Sequence, residues 1–354
     1  MRRPPLPRPD LDDLRAYSTS STAGGEVFLH ANENPYPLPD SIGGEIAGRV
    51  RELELNRYPD PSARGLREAL ADYAGVDATW VWPGTGSNEV LLQVCLAYGG
   101  PGRTAMLFEP TYRMHHRQAR IAGTSVVDVP RRPDFSIDVE AALTSIEARE
   151  PDVVFLCSPN NPTGTLTALE DVRAIAAAAP GLVVLDEAYF EFCGMTLVPE
   201  LPTYPNVVVV RTLSKAFRLA GARIGYLIGG PEVLEPLERV RMPYSVSAPA
   251  QAIAEVVLAH RDEVLACVPE IVSERDRISA ALAELPGMEV FGSASNSILF
   301  RHPDAAGLFK ALVGAGIVVR DFTTLRGCGG CLRVTVGLPE QNDAFLETLR
   351  EAVG

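Results

Sequence analysis

The sequence predicts an α/β fold: a large domain with a mostly parallel sheet covered by helices on both faces, and a smaller α+β domain after it. From about residue 62, helix-period segments alternate with short apolar, β-branched runs. Several of these runs are apolar at every position, the pattern of strands buried on both faces. Near Pro243 the alternation gives way to a long amphipathic stretch, and 354 residues exceed what a single hydrophobic core usually supports.

The Pro-rich start and the Ser/Thr/Gly run from Ser18 to Gly25 read as an extended arm, residues 1–37. The large domain is expected over 38–242, with strands at 104–108, 125–129, 152–156, 182–186, 206–211 and 224–228. A further short strand leads into a helix that begins about Gly86. The small domain is expected over 243–354. It opens with a helix from about Ala248 to Leu285, interrupted around Pro269, and continues with strands at 297–301, 317–320 and 332–336 and helices at 305–315 and 340–353.

Composition narrows the function. With 46% hydrophobic and 22% charged residues and no apolar run of bilayer length, a membrane protein is not expected. Met1 to Asp10 carries positive charge with no apolar stretch behind it, so it does not read as a secretory signal, and cytoplasmic residence is the default. A net charge of -13 argues against nucleic acid as a partner. Of the six cysteines only Cys328-Gly-Gly-Cys331 has redox or metal spacing. No second ligand pair matches it, so a glycine-rich turn entering a strand is expected and no metal site. Of 32 basic residues only Lys215 and Lys310 are lysine. Arginine cannot be deprotonated in a protein, whereas lysine supplies a neutral nucleophilic amine.

Four constellations fall where strands end, the region in which open sheets bind ligands. Trp82-Pro-Gly-Thr-Gly-Ser-Asn-Glu89 runs from strand to helix, a turn whose N–H groups and dipole favour a phosphate. Ser158-Pro-Asn-Asn-Pro-Thr-Gly164 is a rigid turn that presents the amide of Asn161. Asp186-Glu-Ala-Tyr189 ends a wholly apolar strand, where a carboxylate is costly unless it meets a cation such as a protonated ring nitrogen. Thr212-Leu-Ser-Lys-Ala-Phe217 places Lys215 beyond another buried strand, with Ser214 beside it and Arg223 eight residues later. That set offers an amine for a Schiff base and two groups for an adjacent phosphate.

Together these motifs resemble the fold-type I pyridoxal-phosphate aminotransferases, which carry a glycine turn, Asn-Pro-x-Gly, Asp-x-x-Tyr, and Ser-Lys followed by arginine. The intervals are 25 residues from Asn161 to Asp186 and 29 from Asp186 to Lys215. The likeness is closest to the histidinol-phosphate aminotransferases, through His30-Ala-Asn-Glu-Asn-Pro-Tyr36, Asn56-Arg-Tyr-Pro59, Pro110-Thr-Tyr112, Val319-Arg-Asp321 and Cys331-Leu-Arg-Val-Thr-Val-Gly337.

The resemblance implies a pyridoxal 5'-phosphate cofactor held by Lys215 as an internal aldimine, with Asp186 on the pyridinium nitrogen. Asn161 and Tyr189 would bond the phenolic oxygen, and Tyr112 would stack on the ring. Gly86, Ser87, Asn88, Ser214 and Arg223 would hold the phosphate, with Tyr58 reaching in from the partner of a homodimer. Arg333 would receive an α-carboxylate. Arg320 would join it on a phosphate ester, and Asn32 and Tyr17 would add substrate contacts. The arm reads Tyr17-Ser-Thr-Ser-Ser-Thr-Ala, without the basic residue often found after the corresponding tyrosine. The implied reaction is transamination between L-histidinol phosphate and 2-oxoglutarate in histidine biosynthesis. The same cofactor residues would also serve a phenylalanine or tyrosine aminotransferase or a decarboxylase of a phosphorylated amino acid. A non-catalytic binding module would have no need of a Schiff-base lysine.

Overall fold

The computed structural model describes Leu14 and residues 25–354. Among the described residues the chain begins with β1 (Val27–Phe28), α1 (Asp40–Arg51), α2 (Arg64–Ala74), β2 (Val81–Thr85), α3 (Gly86–Tyr98), β3 (Thr104–Leu107), α4 (Arg113–Ile121) and β4 (Ser125–Asp128). There follow α5 (Val139–Arg149), β5 (Val153–Cys157), α6 (Leu169–Ala178), β6 (Leu182–Asp186), β7 (Val207–Thr212), β8 (Ile224–Ile228) and α7 (Pro231–Glu238). The remainder is α8 (Ala248–Ala259), α9 (Arg261–Leu265), α10 (Val268–Ala283), β9 (Glu289–Val290), β10 (Ser297–Arg301), α11 (Ala305–Gly314), β11 (Ile317–Val318), β12 (Arg320–Asp321), β13 (Cys331–Thr335) and α12 (Pro339–Val353). No helix among the described residues is long and apolar enough to cross a membrane.

The large sheet has the order β2-β8-β7-β6-β5-β3-β4 and is parallel except for β8, which runs against both of its neighbours. Its central strands lack alternation because both faces are covered. Val183, Leu185, Val207 and Val209 join a core completed by α2, α5, α6 and α8. Leu182, Val184, Val208 and Val210 join a second core completed by α3 and α7. Both residue sets are therefore apolar, and the period of two disappears from the sequence.

A parallel neighbour needs a long crossover, whereas an antiparallel one can follow directly. The reversed direction of β8 leaves residues 213–223 as a compact loop at the end of β7. That loop carries Ser214, Lys215 and Arg223.

The second sheet, β12-β13-β10-β9, is antiparallel, and α10, α11 and α12 pack on it through Ile271, Ile278, Leu308, Leu312, Phe345 and Leu349. β1 pairs in parallel with β11, so the start of the described chain is fastened to this unit.

The expected helix over 248–285 is three helices, broken at His260 and at Ala266–Cys267. The second break lies just before Pro269, which has no N–H to carry α9 onward. The proline sits in the first turn of α10, where a missing N–H leaves no bond unmade. The expected strand over 317–320 is divided between sheets, with β11 on β1 and β12 on β13. Helix α8 lies after residue 243 yet buries Ala254, Val257 and Leu258 in the core of the large sheet. Cys328 and Cys331 form a turn in which Cys331 N–H donates to Cys328 O at 2.9 Å, and all six cysteines are free thiols.

Beneath the strand ends, Arg211 of β7 donates through Nε and a terminal nitrogen to Glu187 Oε2 at 3.0 and 2.8 Å. The two side chains are 3% and 1% exposed. The Glu191 carboxyl, half-buried near the same guanidinium, is pushed up to about 7 by desolvation. Replacing Arg211 by Met leaves the buried Glu187 carboxyl and the half-buried Glu191 carboxyl without their cation, and a loss of about 3–5 kcal/mol is expected near neutral pH in urea unfolding. Burial raises these carboxyls above their unfolded values, so the deficit relative to the parent protein should shrink as pH falls and they take up protons. An unchanged midpoint would show that the pair contributes nothing net.

Candidate active site

The C-terminal ends of β5, β6 and β7 and the N-terminal end of α3 converge on one cavity. It is lined by Ser87, Asn88, Tyr112, Cys157, Asn161, Asp186, Ala188, Tyr189, Thr212, Ser214, Lys215 and Arg223. Strand register places Cys157 beside Asp186 and Asp186 beside Val210, so the floor is set by the sheet itself.

Lys215 Nζ donates to the carbonyl of Ala31 at 3.0 Å. Burial lowers its pKa to about 8, the cations Arg333 and Arg223 push the same way, and Glu33 opposes them. Near pH 7 roughly a tenth of the amine is then neutral, far more than for an ordinary lysine.

Asp186 is 2% exposed. Its Oδ2 lies 2.9 Å from His115 Nε2, and its Oδ1 accepts from the Ala188 N–H at 3.1 Å. His115 is itself buried, stacked on Phe155 and edge-on to Tyr112. Across the cavity the Tyr189 hydroxyl accepts amide N–H bonds from Asn32 at 2.8 Å and Asn161 at 3.1 Å. Burial holds the Tyr189 phenol up at about 12, against the pull of Arg333 and the Asn32 bond. The Tyr112 hydroxyl donates to Asn88 Oδ1 at 3.0 Å, which fixes the ring over the cavity.

One end of the cavity is a cradle for an anion. Gly86 starts α3 with φ +74°, and a Cβ there would stand 2.6 Å from an Arg223 terminal nitrogen. A Cβ on Gly225 would stand 2.1 Å from the backbone nitrogen of Ser87. Both glycines let the first turn of α3 and the β7–β8 loop close on one small volume, with the free N–H groups of the helix facing it. Arg223 also donates to Ser214 Oγ at 3.4 Å and to Ala220 O at 2.9 Å.

A second cavity shares Tyr112, Asn161, Tyr189 and Lys215 with the first and adds His30, Asn32, Arg113, Met114, Arg320, Phe322 and Arg333. Arg320 and Arg333 are direct partners across β12 and β13. Arg333 is 5% exposed and donates to Asn161 Oδ1 at 2.6 Å and to His30 O at 2.9 Å.

Nearly all the residues singled out in the sequence thus meet in two joined cavities, with Gly86 just behind the first. Tyr58 does not line them. It is 81% exposed and stacks on Tyr244 at 4.5 Å. Tyr17 lies outside the described residues. His115 was missed by sequence reasoning. Its signal was a histidine three residues after Tyr112, on the face of α4 that also buries Gln118 and Ala119. Thr212, which bonds Ser214 Oγ at 2.9 Å and Ile224 O at 3.0 Å, gave no signal beyond its motif.

Residues 26–349 match the family model of aminotransferase class I and II. The chain is 46% identical to a histidinol-phosphate aminotransferase of Thermobifida fusca, over 97% of this chain and 95% of that one. It is 45% identical to the same enzyme of Corynebacterium efficiens, over 93% and 90%. Its fold is similar to the crystal structure of histidinol-phosphate aminotransferase from Sinorhizobium meliloti in complex with pyridoxal-5'-phosphate, with a TM-score of 0.88, 26% identity and coverage of 98% and 96%.

The lowered pKa of Lys215 is also a statement about stability. Below about pH 8 the folded and unfolded chains both carry the proton, and its burial cost is present in full. Between about 8 and 10.5 the unfolded chain holds more proton, so stability rises with pH, and above 10.5 the cost is gone. Cofactor-free Lys215→Met is therefore expected to be more stable than its parent at pH 7, by on the order of 2–3 kcal/mol. That difference should close by pH 10.5 in parallel denaturation curves. A difference independent of pH would show that the folded amine titrates normally.

Proposed function

Since this chain belongs to the histidinol-phosphate aminotransferases of class I and II, we propose that it transfers the amino group of L-histidinol phosphate to 2-oxoglutarate. The products are imidazole acetol phosphate and L-glutamate, and the step serves histidine biosynthesis. The enzyme uses pyridoxal 5'-phosphate and acts in the cytoplasm as a homodimer. The observation that carries the substrate assignment is the pair Arg320 and Arg333, adjacent across β12 and β13 in the cavity that contains Lys215. A phosphate ester is a dianion, and two guanidiniums match it better than one.

The residues present fit the cofactor. The cradle kept open by Gly86 and Gly225 takes a phosphate on Ser87, Asn88, Ser214 and Arg223. The buried carboxylate of Asp186 takes a protonated ring nitrogen, with His115 holding its other oxygen in place. Asn161 and Tyr189, bonded to each other at 3.1 Å, would hold a ring hydroxyl, and Tyr112 would cover the ring. When bound, pyridoxal phosphate supplies an aldehyde for amine capture and a protonated ring that withdraws electrons from the substrate's α-carbon.

The chain supplies binding and proton movement. Lys215 would serve first as the amine that anchors the cofactor and then as the base that takes up and returns the proton of the substrate α-carbon. Its depressed pKa suits both tasks. Asp186 keeps the ring nitrogen protonated. Asn161 links the two halves of the site, since it accepts from Arg333 while it donates to Tyr189.

We keep residues 38–242 as the large unit and 243–354 as the small unit, with α8 packed on the large one; of the arm expected over 1–37, only Leu14 and residues 25–37 are among the described residues. The homodimer is supported by Leu55, Tyr58, Met242 and Tyr244, which are exposed by 67%, 81%, 70% and 41%. A second copy would cover them and receive Tyr58 at its cofactor phosphate.

Single-turnover half-reactions test the reading. Arg320→Ala should slow the histidinol-phosphate half-reaction by about 1.5–3 kcal/mol of transition-state stabilisation while sparing glutamate, and Arg333→Ala should damage both. Equal impairment by Arg320→Ala, or a wild-type preference for phenylalanine over histidinol phosphate, would reassign the enzyme to aromatic amino acids.

Asp186→Asn should retain the cofactor through its phosphate and lose turnover, tenfold for each ~1.4 kcal/mol withdrawn. Wild-type turnover would show that Asp186 faces something other than the ring. Sedimentation of Tyr58→Ala should give a dimer with weakened cofactor affinity, and a monomeric parent protein would remove Tyr58 from the site.

A further inference from the structure

The substrate cavity holds one cation to which the reading above gives no task. Arg113 opens α4 directly after Tyr112, is exposed, and lines the cavity together with Lys215, Arg320 and Arg333. Its position is locally unfavourable. A guanidinium in the first turn meets the positive end of the helix dipole, and that turn contains no acidic residue to offset it. Among the described residues no ion pair or side-chain hydrogen bond holds it. Its pull on the Glu109 carboxyl is the weakest of the influences there, and burial pushes that carboxyl up instead. A residue that breaks a local rule without local compensation marks a place where function sets the choice.

The electrostatics of the cavity are one-sided. Its lining includes Arg113, Lys215, Arg320, Arg333 and His30 and no carboxylate. The cations also stand on different walls. Arg320 and Arg333 come from the small sheet, whereas Arg113 comes from α4 beside the large one. A molecule with two separated negative charges can use both walls. A molecule with a single anionic end uses only the arginine pair.

We propose that Arg113 binds the distal carboxylate of the dicarboxylate co-substrate, 2-oxoglutarate or the glutamate formed from it. The inference rests on the aminotransfer reading of this site, in which two unlike substrates occupy one cavity in turn. Histidinol phosphate brings its phosphate to Arg320 and Arg333 and an imidazole that needs no cation. Glutamate brings its α-carboxylate to Arg333 and leaves a second carboxylate two methylenes beyond the α-carbon. A long side chain at the cavity edge serves that second carboxylate and withdraws for the imidazole, so the pocket accepts both shapes without being rebuilt.

The test uses the holoenzyme and its Arg113→Gln and Arg113→Lys variants. Calorimetry measures the binding of glutarate, an unreactive dicarboxylate, against pentanoate, its singly charged match in length. Single-turnover kinetics compare glutamate with norvaline and with histidinol phosphate. Arg113→Gln should weaken glutarate and slow glutamate by about threefold to fivefold, the upper range of one exposed ion pair. Pentanoate, norvaline and histidinol phosphate should stay within about twofold of the parent, and Arg113→Lys should fall between. Equal losses for glutarate and pentanoate, unchanged glutarate binding, or histidinol phosphate impaired as much as glutamate would overturn the assignment. If the parent enzyme prefers phenylalanine to histidinol phosphate, the substrate reading fails, while the contrast between glutarate and pentanoate still decides the role of Arg113.

Discussion

The site depends on one constraint: the amine of Lys215 has to stay free of any carboxylate in a neighbourhood that contains several. Glu33 acts on the amine through its charge alone, with no ion pair between the two among the described residues, and the acids at the end of β6 are occupied elsewhere. Asp186 is engaged by His115, and Glu187 is held by Arg211, Thr196 and the Leu197 N–H. The partners that do approach Lys215 are a backbone carbonyl, which accepts a hydrogen bond without fixing a charge, and two arginines, which discourage protonation. A carboxylate in contact would raise the amine's pKa and end its usefulness as nucleophile and base.

How far the sequence revealed this depends on the kind of contact. The strand at 182–186 was legible because burial on both faces removes every polar residue until Asp186, and the loss of alternation at that point is itself the signal. The loop with Lys215 was legible from its motif, and the antiparallel direction of β8 explains why so short a segment suffices. The two-residue strands β1 and β9 had too few residues to show a period. The division of 317–320 between two sheets is a tertiary choice that no local pattern encodes. His115 escaped because a buried histidine on an arginine-rich helix is defined by its partner 71 residues away, not by its neighbours in sequence.

Asn161 joins two functions that are usually discussed apart. Its amide donates toward the residue that would face the cofactor ring, and its carbonyl oxygen accepts from the arginine that would face the substrate. Rotation of this one side chain would break both bonds together. The rigid backbone of Ser158-Pro-Asn-Asn-Pro-Thr-Gly164 has a clear purpose in that light, since an amide that must donate on one side and accept on the other tolerates little freedom.

The segment from β1 to Tyr36 crosses between the two sheets. It pairs with β11, places Leu29 in the core of the small unit, gives the Ala31 carbonyl to Lys215, and ties Asn32 to Tyr189 and to Thr335. Asn32 and Thr335 are separated by 303 positions in the chain. During synthesis the ribosome releases the first of these contacts near the start and the second near the end, so a nascent chain holding the complete large sheet still lacks the surroundings of its own lysine. Such long-range closure carries a large entropy cost and comes late in folding. The surroundings of the Lys215 amine are therefore completed last, and a truncated or stalled chain is left with a fold and an open site.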